Sequence, residues 1–217
     1  YEIENESADP DGVIERAMAR IAPWDGKVVL DLGAGTGFHL PRFADRAAHV
    51  IAIEPDGHLR LRLMQRLIDR QLTNVSVIGA SAADIPLRDD AVDIVHARFA
   101  YFFGPGCEPG LRELERIVAP GGTVFIIDND LRSGTFASWV RSSYDGYAPE
   151  EIDRIEQFWR DEGFTLERLA SRWLLPSREA FERIIRLEFP PDHAGRIIAA
   201  HDGLEVDYHL LLLHRTV

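Results

Sequence analysis

Short apolar runs alternate along the first two thirds of the chain with stretches that have a helical period. The runs are rich in β-branched residues and lack regular polar alternation, which is typical of strands buried on both faces of a parallel sheet. The five runs are Val28–Leu32, Val50–Ile53, Val75–Ile78, Val92–Val95 and Val124–Ile127. This repetition of strand and helix predicts an α/β fold with a doubly wound sheet and right-handed crossovers.

The stretches between the runs supply the predicted helices. The segment 56–71 carries an apolar face opposite an arginine-rich face, and Asp56 is placed to cap its first turn. The residues predicted on the apolar face are Leu59, Leu63, Met64, Leu67 and Ile68. The segment 109–118 repeats the pattern, and the Pro-Gly-Gly sequence at 120–122 ends it.

The last third of the chain departs from this rhythm. In order, the predicted elements are a helix containing Ile152–Trp159, a strand at 164–175, helices at 177–187 and 192–201, and a strand at 206–215. The two helices between these strands are too short to build a core of their own. We therefore interpret residues 1–217 as one domain, with residues 177–201 as a helical insertion suited to act as a substrate lid.

Charge and cysteine content exclude several classes of protein. Lys plus Arg number 24 against 36 Asp plus Glu, a formal net charge of −12. This balance argues against a nucleic acid or an anionic membrane as partner, because such binding rests on Lys and Arg. No apolar stretch approaches the roughly 18 residues of a membrane helix. Cys107 is the only cysteine, which fits a reducing compartment, so we expect a cytoplasmic protein.

Two further features limit the chemistry. Lys27 is the only lysine, which argues against a Schiff-base lysine, a phosphate-loop lysine and the Tyr-x-x-x-Lys pair of short-chain dehydrogenases. The eight histidines show no His-x-x-x-His spacing, so we expect no metal site.

The chain begins at Tyr1 rather than Met, so we expect residues upstream of this numbering and leave a short targeting segment open. The oligomeric state is also left open.

A glycine-rich turn follows the first predicted strand. Residues 31–37 read Asp-Leu-Gly-Ala-Gly-Thr-Gly and lead into a predicted helix. Such a turn brings a ligand close to main-chain N–H groups at a helix N-terminus. A dinucleotide fingerprint requires a third glycine at position 38, where Phe38 stands. Asp31 adds negative charge where a diphosphate would be repelled, so the turn favours a ligand with one small carboxylate and one ammonium group.

Two more segments follow the next strands. Glu54 ends the second strand, where a carboxylate can accept both hydroxyls of a ribose. The segment 80–86, Ala-Ser-Ala-Ala-Asp-Ile-Pro, follows the third strand and places small residues where an adenine edge would lie.

With Arg-Ile-Val-Ala-Pro-Gly-Gly at 116–122, these segments resemble the class I S-adenosylmethionine-dependent methyltransferases, in particular the small-molecule branch called type 11. The likeness spans about residues 25–130 and implies a mainly parallel seven-stranded sheet whose last strand is antiparallel. It implies S-adenosylmethionine as cofactor and Asp31, Gly33, Ala34, Gly35, Thr36, Gly37, Glu54, Pro55, Ser81, Ala82, Ala83 and Arg98 as the residues that bind it. Where the family commonly has Gly-Asp-Ala, this chain has Ala80-Ser81-Ala82, so either Ser81 or Asp84 takes the adenine contact.

Catalytic residues are less marked in the sequence. The candidates follow the fourth strand, the fifth strand or the insertion, and they are Tyr101, Asp128, Asp130 and His201. Tyr1 is a further candidate because it begins a segment that in this family often covers the cofactor, and His96 is interpreted as a core histidine. The predicted function is metal-independent methyl transfer to a small molecule whose identity the sequence does not give.

Three alternatives stay open: another use of the same cofactor, a catalytically silent cofactor-binding or scaffold protein, and a nicotinamide oxidoreductase. Phe38 and the lack of a second lysine disfavour the oxidoreductase.

Overall fold

A computed structural model describes residues 2–217. Seven strands form the main sheet in the order β3-β2-β1-β4-β5-β9-β6, and β7 pairs with β8 in a separate antiparallel ribbon. The strands are β1 Val28–Leu32, β2 His49–Ile53, β3 Val75–Ile78, β4 Val92–Arg98, β5 Val118–Asn129, β6 Thr165–Leu169, β7 Arg172–Leu174, β8 Glu205–Asp207 and β9 Leu210–Thr216. The predicted α/β class is confirmed, and one strand of the seven runs antiparallel to the others.

Nine helices accompany these strands within the described residues. They are α1 Glu2–Ser7, α2 Val13–Ile21, α3 Leu40–Ala44, α4 Gly57–Asp69, α5 Glu108–Ile117, α6 Thr135–Ser143, α7 Pro149–Asp161, α8 Arg178–Glu188 and α9 Pro191–Ala200. Side chains set several of the starts. Asp56 caps α4 by accepting the N–H groups of His58 and Leu59, as predicted, and Ser177 caps α8 by accepting the N–H of Ala180. No helix in residues 2–217 has the length and apolar content needed to span a membrane.

The order of the strands places β1 at the centre of the parallel part of the sheet. It pairs with β2 on one side and with β4 on the other, and both pairings are parallel. Val29 and Leu30 of β1 and Val95 of β4 have no exposed surface, as the apolar runs without regular polar alternation predicted. Because parallel strands end at the same edge, the segments that follow β1, β2, β3 and β4 share one edge of the sheet.

The chain divides into two compact units. The first comprises residues 2–16, Asn129–Gln157 and Glu167–Leu211, and the second comprises Ala17–Asp128, Phe158–Leu166 and Leu212–Val217. The second unit contains the parallel strands β1 to β4. The interpretation of the whole chain as one domain with an insertion at 177–201 stays a prediction.

The core of the first unit is strongly aromatic. Phe136 packs against Trp173, Phe189 and Tyr208, with ring centroids 4.8–5.7 Å apart. The α8 helix adds Phe181, which is fully buried. These rings lie in segments that are far apart in the chain, so their packing ties α6, α8 and the β7–β8 ribbon together.

The structure corrects two details of the sequence interpretation. The predicted strands at 164–175 and 206–215 are each divided, into β6 and β7 and into β8 and β9. The first division falls at Ser171, whose Oγ donates to the carboxylate of Asp9 and whose carbonyl accepts the N–H of Tyr208. On α4, Met64 and Ile68 are exposed by 51% and 70%, so they do not belong to the buried face.

Candidate functional site

The glycine turn is held in place by contacts with β2 and with the segment that follows β4. The N–H groups of Gly33 and Ala34 both donate to the carbonyl of Ile53, at 2.8 and 2.9 Å. Gly33 has a φ of +77°, and a Cβ placed on it would lie 2.3 Å from the Cβ of Ala100. Position 33 therefore requires glycine both for its backbone conformation and for the close approach of the segment after β4.

Glu54 links this turn to the start of α4. Its Oε2 accepts the N–H of Gly35 at 2.9 Å, and its Oε1 accepts the N–H of Asp56 at 2.8 Å. The residue is 6% exposed. A carboxylate has about four lone-pair positions, so each oxygen can accept one more hydrogen bond. Glu54 is thus a fixed carboxylate that can take two hydroxyl donors from a ligand.

Asp31 is paired with a histidine that the sequence analysis assigned to the core. The Nδ1 of His96 lies 2.8 Å from Oδ1 of Asp31, and both side chains are less than 5% exposed. The two residues are register partners in adjacent strands β1 and β4. The other oxygen, Oδ2, is buried and has no hydrogen-bond partner among residues 2–217. A buried carboxylate oxygen without a donor is costly, so this oxygen fits a cationic donor from a ligand.

His39 is a second histidine at this place that the sequence analysis missed. Its ring meets that of His96 edge to face, with centroids 5.7 Å apart. Removal from water lowers the pKa of His39 well below 6.5, and the nearby charges of Arg98 and His96 add to the shift. The ring is therefore neutral at physiological pH. In the sequence, the position of His39 after the glycine turn was the signal for a role at this site. The neighbouring residues His96 and Arg98 come from β4, which is distant in the sequence.

The segment that follows β4 has an unusual backbone. Phe99 and Tyr101 have φ values of +51° and +60°, which non-glycine residues rarely adopt. Such conformations cluster at ligand sites, where the surrounding structure holds them in place. Arg98 is 8% exposed, and its guanidinium carbon lies 5.5 Å from the centre of the Phe99 ring. The candidate Tyr101 packs against Phe102, with ring centroids 5.1 Å apart.

The loop after β3 is compact and partly open to solvent. Oγ of Ser81 accepts the N–H of Ala83 at 3.2 Å, and the N–H of Asp84 donates to the carbonyl of Ser81. Ala82 is buried, whereas Ser81, Ala83 and Asp84 are exposed. The Ser81 and Asp84 side chains are both accessible, so either remains a candidate for the adenine contact. The loop is anchored where the N–H of Ile85 donates to Glu113 at 2.7 Å.

The remaining predicted cofactor residues fall in the same unit as the glycine turn. Thr36 is buried within the turn at 2% exposure, and Gly37 has a φ of +74°. The carbonyl of Pro55 accepts a hydrogen bond from Arg60, although the residue itself is exposed. The candidate Asp128 is half-buried at the end of this unit.

Asp130 and His201 lie instead in the first unit. Asp130 is buried and accepts the hydroxyl of Ser133 at 2.7 Å, and that hydroxyl oxygen also lies 2.8 Å from Nδ1 of His209. His201 stacks on Phe181, and its Nε2 lies 3.0 Å from the carbonyl of Glu205. Both side chains are therefore engaged in contacts within the fold. A catalytic role for either stays a prediction. Tyr1 lies outside the described residues.

Comparison with known proteins identifies the arrangement around the glycine turn. Residues 30–126 match the family described as "Methyltransferase domain". This region of the chain is similar to the class I S-adenosylmethionine-dependent methyltransferases. The match supports the family, the enzyme class and the cofactor, S-adenosylmethionine, that the sequence predicts. The site fits this cofactor, since the unpartnered Oδ2 of Asp31 suits its ammonium group and the carboxylate of Glu54 suits its ribose hydroxyls.

Two curated methyltransferases illustrate the relationship. The chain is 34% identical over 128 residues to a demethylmenaquinone methyltransferase of Clavibacter sepedonicus, an overlap of 58% of this chain and 50% of that protein. It is 26% identical over 177 residues to a ubiquinone/menaquinone biosynthesis C-methyltransferase of Shewanella frigidimarina, covering 79% of this chain and 68% of the other. The chain spans about half the length of most of the first curated relatives that it matches.

Solved structures show the same fold over the whole chain. A SAM-dependent methyltransferase from Aquifex aeolicus superposes with a TM-score of 0.62 at 21% identity, covering 100% of this chain and 97% of that one. At this identity the likeness establishes the fold and nothing finer.

Proposed function

We propose that this protein transfers the methyl group of S-adenosylmethionine to a small-molecule acceptor by in-line displacement, without a metal ion. The observation that carries the proposal is the buried, unpartnered Oδ2 of Asp31 beside a glycine turn that Glu54 holds in place. The carboxylate of Asp31 is available for an ammonium group, and the carboxylate of Glu54 is available for a diol. An ammonium group and a diol are the groups that the amino-acid end and the ribose of the cofactor present.

The residues of the chain act by binding and orientation. S-adenosylmethionine, when bound, supplies an activated methyl group on a sulfonium sulfur. Asp31 binds the amino-acid end of the cofactor, and Glu54 binds its ribose. The strained segment at Phe99–Tyr101 is positioned by its packing against Gly33. Fixing the geometry of two reactants in this way is a large source of rate acceleration and requires no protein nucleophile. A general base is needed only where the acceptor atom is weakly acidic.

A small molecule is the acceptor that the relatives favour. The two curated relatives are named for methylation of quinone precursors, and C-methyltransferase appears in one of the names. The net charge of −12 supports a small molecule over a nucleic acid, because it leaves few cations to neutralise phosphates. An aromatic hydroquinone is therefore the first acceptor class to test, with phenols and amines beside it.

The predicted lid at 177–201 remains part of the proposal. Phe181 and Ile185 on α8 are fully buried, so this face belongs to the core of the first unit. Leu187 is 68% exposed on the same helix. Point substitutions of exposed residues such as Leu187 therefore test acceptor choice more cleanly than replacement of the whole segment.

The experiment is a methyl-transfer assay with labelled S-adenosylmethionine and a panel of acceptors that includes a demethylmenaquinone-type naphthoquinol, catechols and primary amines. We expect labelled product with at least one acceptor and release of S-adenosylhomocysteine in equal amount. Gly35 lies in the turn with a φ of +56°, and Gly35→Val should lose the activity. Gly26→Val is the matched control, because Gly26 has a φ of +66° and open space around it.

Calorimetry with S-adenosylhomocysteine and with NAD completes the test. Binding of the first ligand without turnover of any acceptor supports a catalytically silent binder. Binding of NAD in preference to S-adenosylhomocysteine contradicts the proposal and favours the oxidoreductase alternative.

A further inference from the structure

A cleft in the first unit lies between helices α6 and α9. It has a volume of about 290 Å³ and is lined by Trp139, Ser142, Ser143, His193, Arg196, Ile197 and Ala200. The spacing of these residues places them on one face of each helix. The volume is at the lower end of the range for small-molecule sites, enough for one ring with a single attached group.

The floor of the cleft is apolar and firmly supported. Ile197 is 7% exposed, and the indole of Trp139 is half-buried. Trp139 packs edge to face against Phe181, Phe189 and His201, with ring centroids 5.3–6.3 Å apart. A ring that is held by three others offers a flat surface at little conformational cost to a ligand.

The rim of the cleft carries hydrogen-bond donors and a positive charge. Nδ1 of His193 lies 2.8 Å from Oγ of Ser143, a contact that joins the two helices. Arg196 is exposed and forms no ion pair with any residue in the range 2–217, not even with Asp192 one turn earlier. Arg172 and Arg186 of the same unit are, by contrast, paired with carboxylates. In a chain of net charge −12, a cleft that combines an available guanidinium with an imidazole is suited to an anion.

We infer that this cleft is a binding site for a small aromatic oxyanion. The ring would lie on Trp139 and Ile197, and the carboxylate or phosphoryl oxygens would meet the guanidinium of Arg196 with the Ser143–His193 pair beside it. The inference concerns binding alone and does not depend on methyl transfer.

The test is titration of the full chain with benzoate, phenyl phosphate, the neutral isostere benzamide, and inorganic phosphate. Trp139 reports binding through its fluorescence, because it lines the cleft, whereas Trp24, Trp159 and Trp173 do not and are buried away from a ligand there. We expect benzoate or phenyl phosphate to change the emission with a dissociation constant on the order of 1 mM, as for a fragment of this size. A preference for benzoate indicates a carboxylate ligand, and a preference for phenyl phosphate indicates a phosphorylated one.

Arg196→Gln removes the charge from an exposed position and should weaken binding of the aromatic anion by about tenfold or more. Arg183→Gln is the matched control, since Arg183 is exposed on α8 and does not line the cleft. It should leave the affinity within about twofold.

Equal binding of benzoate and benzamide, or equal affinity in the wild type and Arg196→Gln, would overturn the inference. So would the absence of any response to both aromatic anions at about 10 mM. Binding of inorganic phosphate as tight as that of phenyl phosphate would contradict the role of the apolar floor.

Discussion

The Asp31–His96 pair gives the sharpest prediction about the cofactor site. Asp31→Asn keeps the shape of the side chain, and the Asn carbonyl oxygen can still accept from Nδ1 of His96. The change places an amide N–H₂ where the unpartnered Oδ2 lies, so a ligand ammonium meets a donor in place of a carboxylate. The fold should be retained, while the amino-acid end of the cofactor loses its partner.

The magnitude follows from the burial of the pair. A hydrogen bond to a charged group contributes about 1.5–3 kcal/mol, and a site that is less than 5% exposed does not replace it with water. Asp31→Asn should therefore weaken binding of S-adenosylhomocysteine by about 10-fold to 150-fold.

Calorimetry with two ligands separates this effect from general damage to the site. S-adenosylhomocysteine carries the ammonium group, whereas 5′-methylthioadenosine lacks the amino-acid end and should bind both proteins within about twofold. Asp69→Asn, an exposed change on α4, controls for the loss of one negative charge. An equal loss of affinity for both ligands would refute the assignment of Asp31 to the ammonium group.

Two further predictions concern stability. Gly33→Ala should cost about 2–4 kcal/mol of unfolding free energy, because its Cβ would lie 2.3 Å from Ala100 at a positive φ, whereas Gly26→Ala, with open space, should cost about 1 kcal/mol in denaturant melts; equal costs would contradict the close approach. His39 is held neutral in the folded state and takes a proton in the unfolded state, so its contribution to stability should fall as pH drops below about 6.5 toward its lowered pKa. Melts of the wild type and His39→Gln between pH 7.5 and 5 measure this, and parallel curves would contradict it.

The parallel half of the fold was accessible from the sequence because its strands are short runs rich in β-branched residues, separated by helical stretches. Predicted and observed bounds coincide for β1 and β3. The pattern could not show that the strand predicted at 164–175 is divided, because the division depends on a hydrogen bond from Ser171 to Asp9, far away in the chain. The exposure of Met64 and Ile68 depends likewise on which side of α4 faces the sheet.

The glycine turn and Glu54 could be recognised because each follows its strand directly in the sequence. The partnership of Asp31 with His96 could not, since it depends on the register between β1 and β4, and a shift by one residue would turn His96 to the other face. The unpartnered oxygen of Asp31 became visible only with that register in place.

The central claim is that a methyltransferase cofactor binds where Glu54 joins the glycine turn to α4. The most direct test is calorimetric titration of the wild type, Glu54→Gln and the control Asp56→Ser with S-adenosylhomocysteine, with thermal melts to confirm folding. Asp56→Ser retains a helix cap next to Glu54 and should bind like the wild type. Glu54→Gln should weaken binding by about tenfold to a few hundredfold, because it loses charge-assisted hydrogen bonds to the ribose. Affinity within about twofold of the wild type in a folded Glu54→Gln protein would contradict the account.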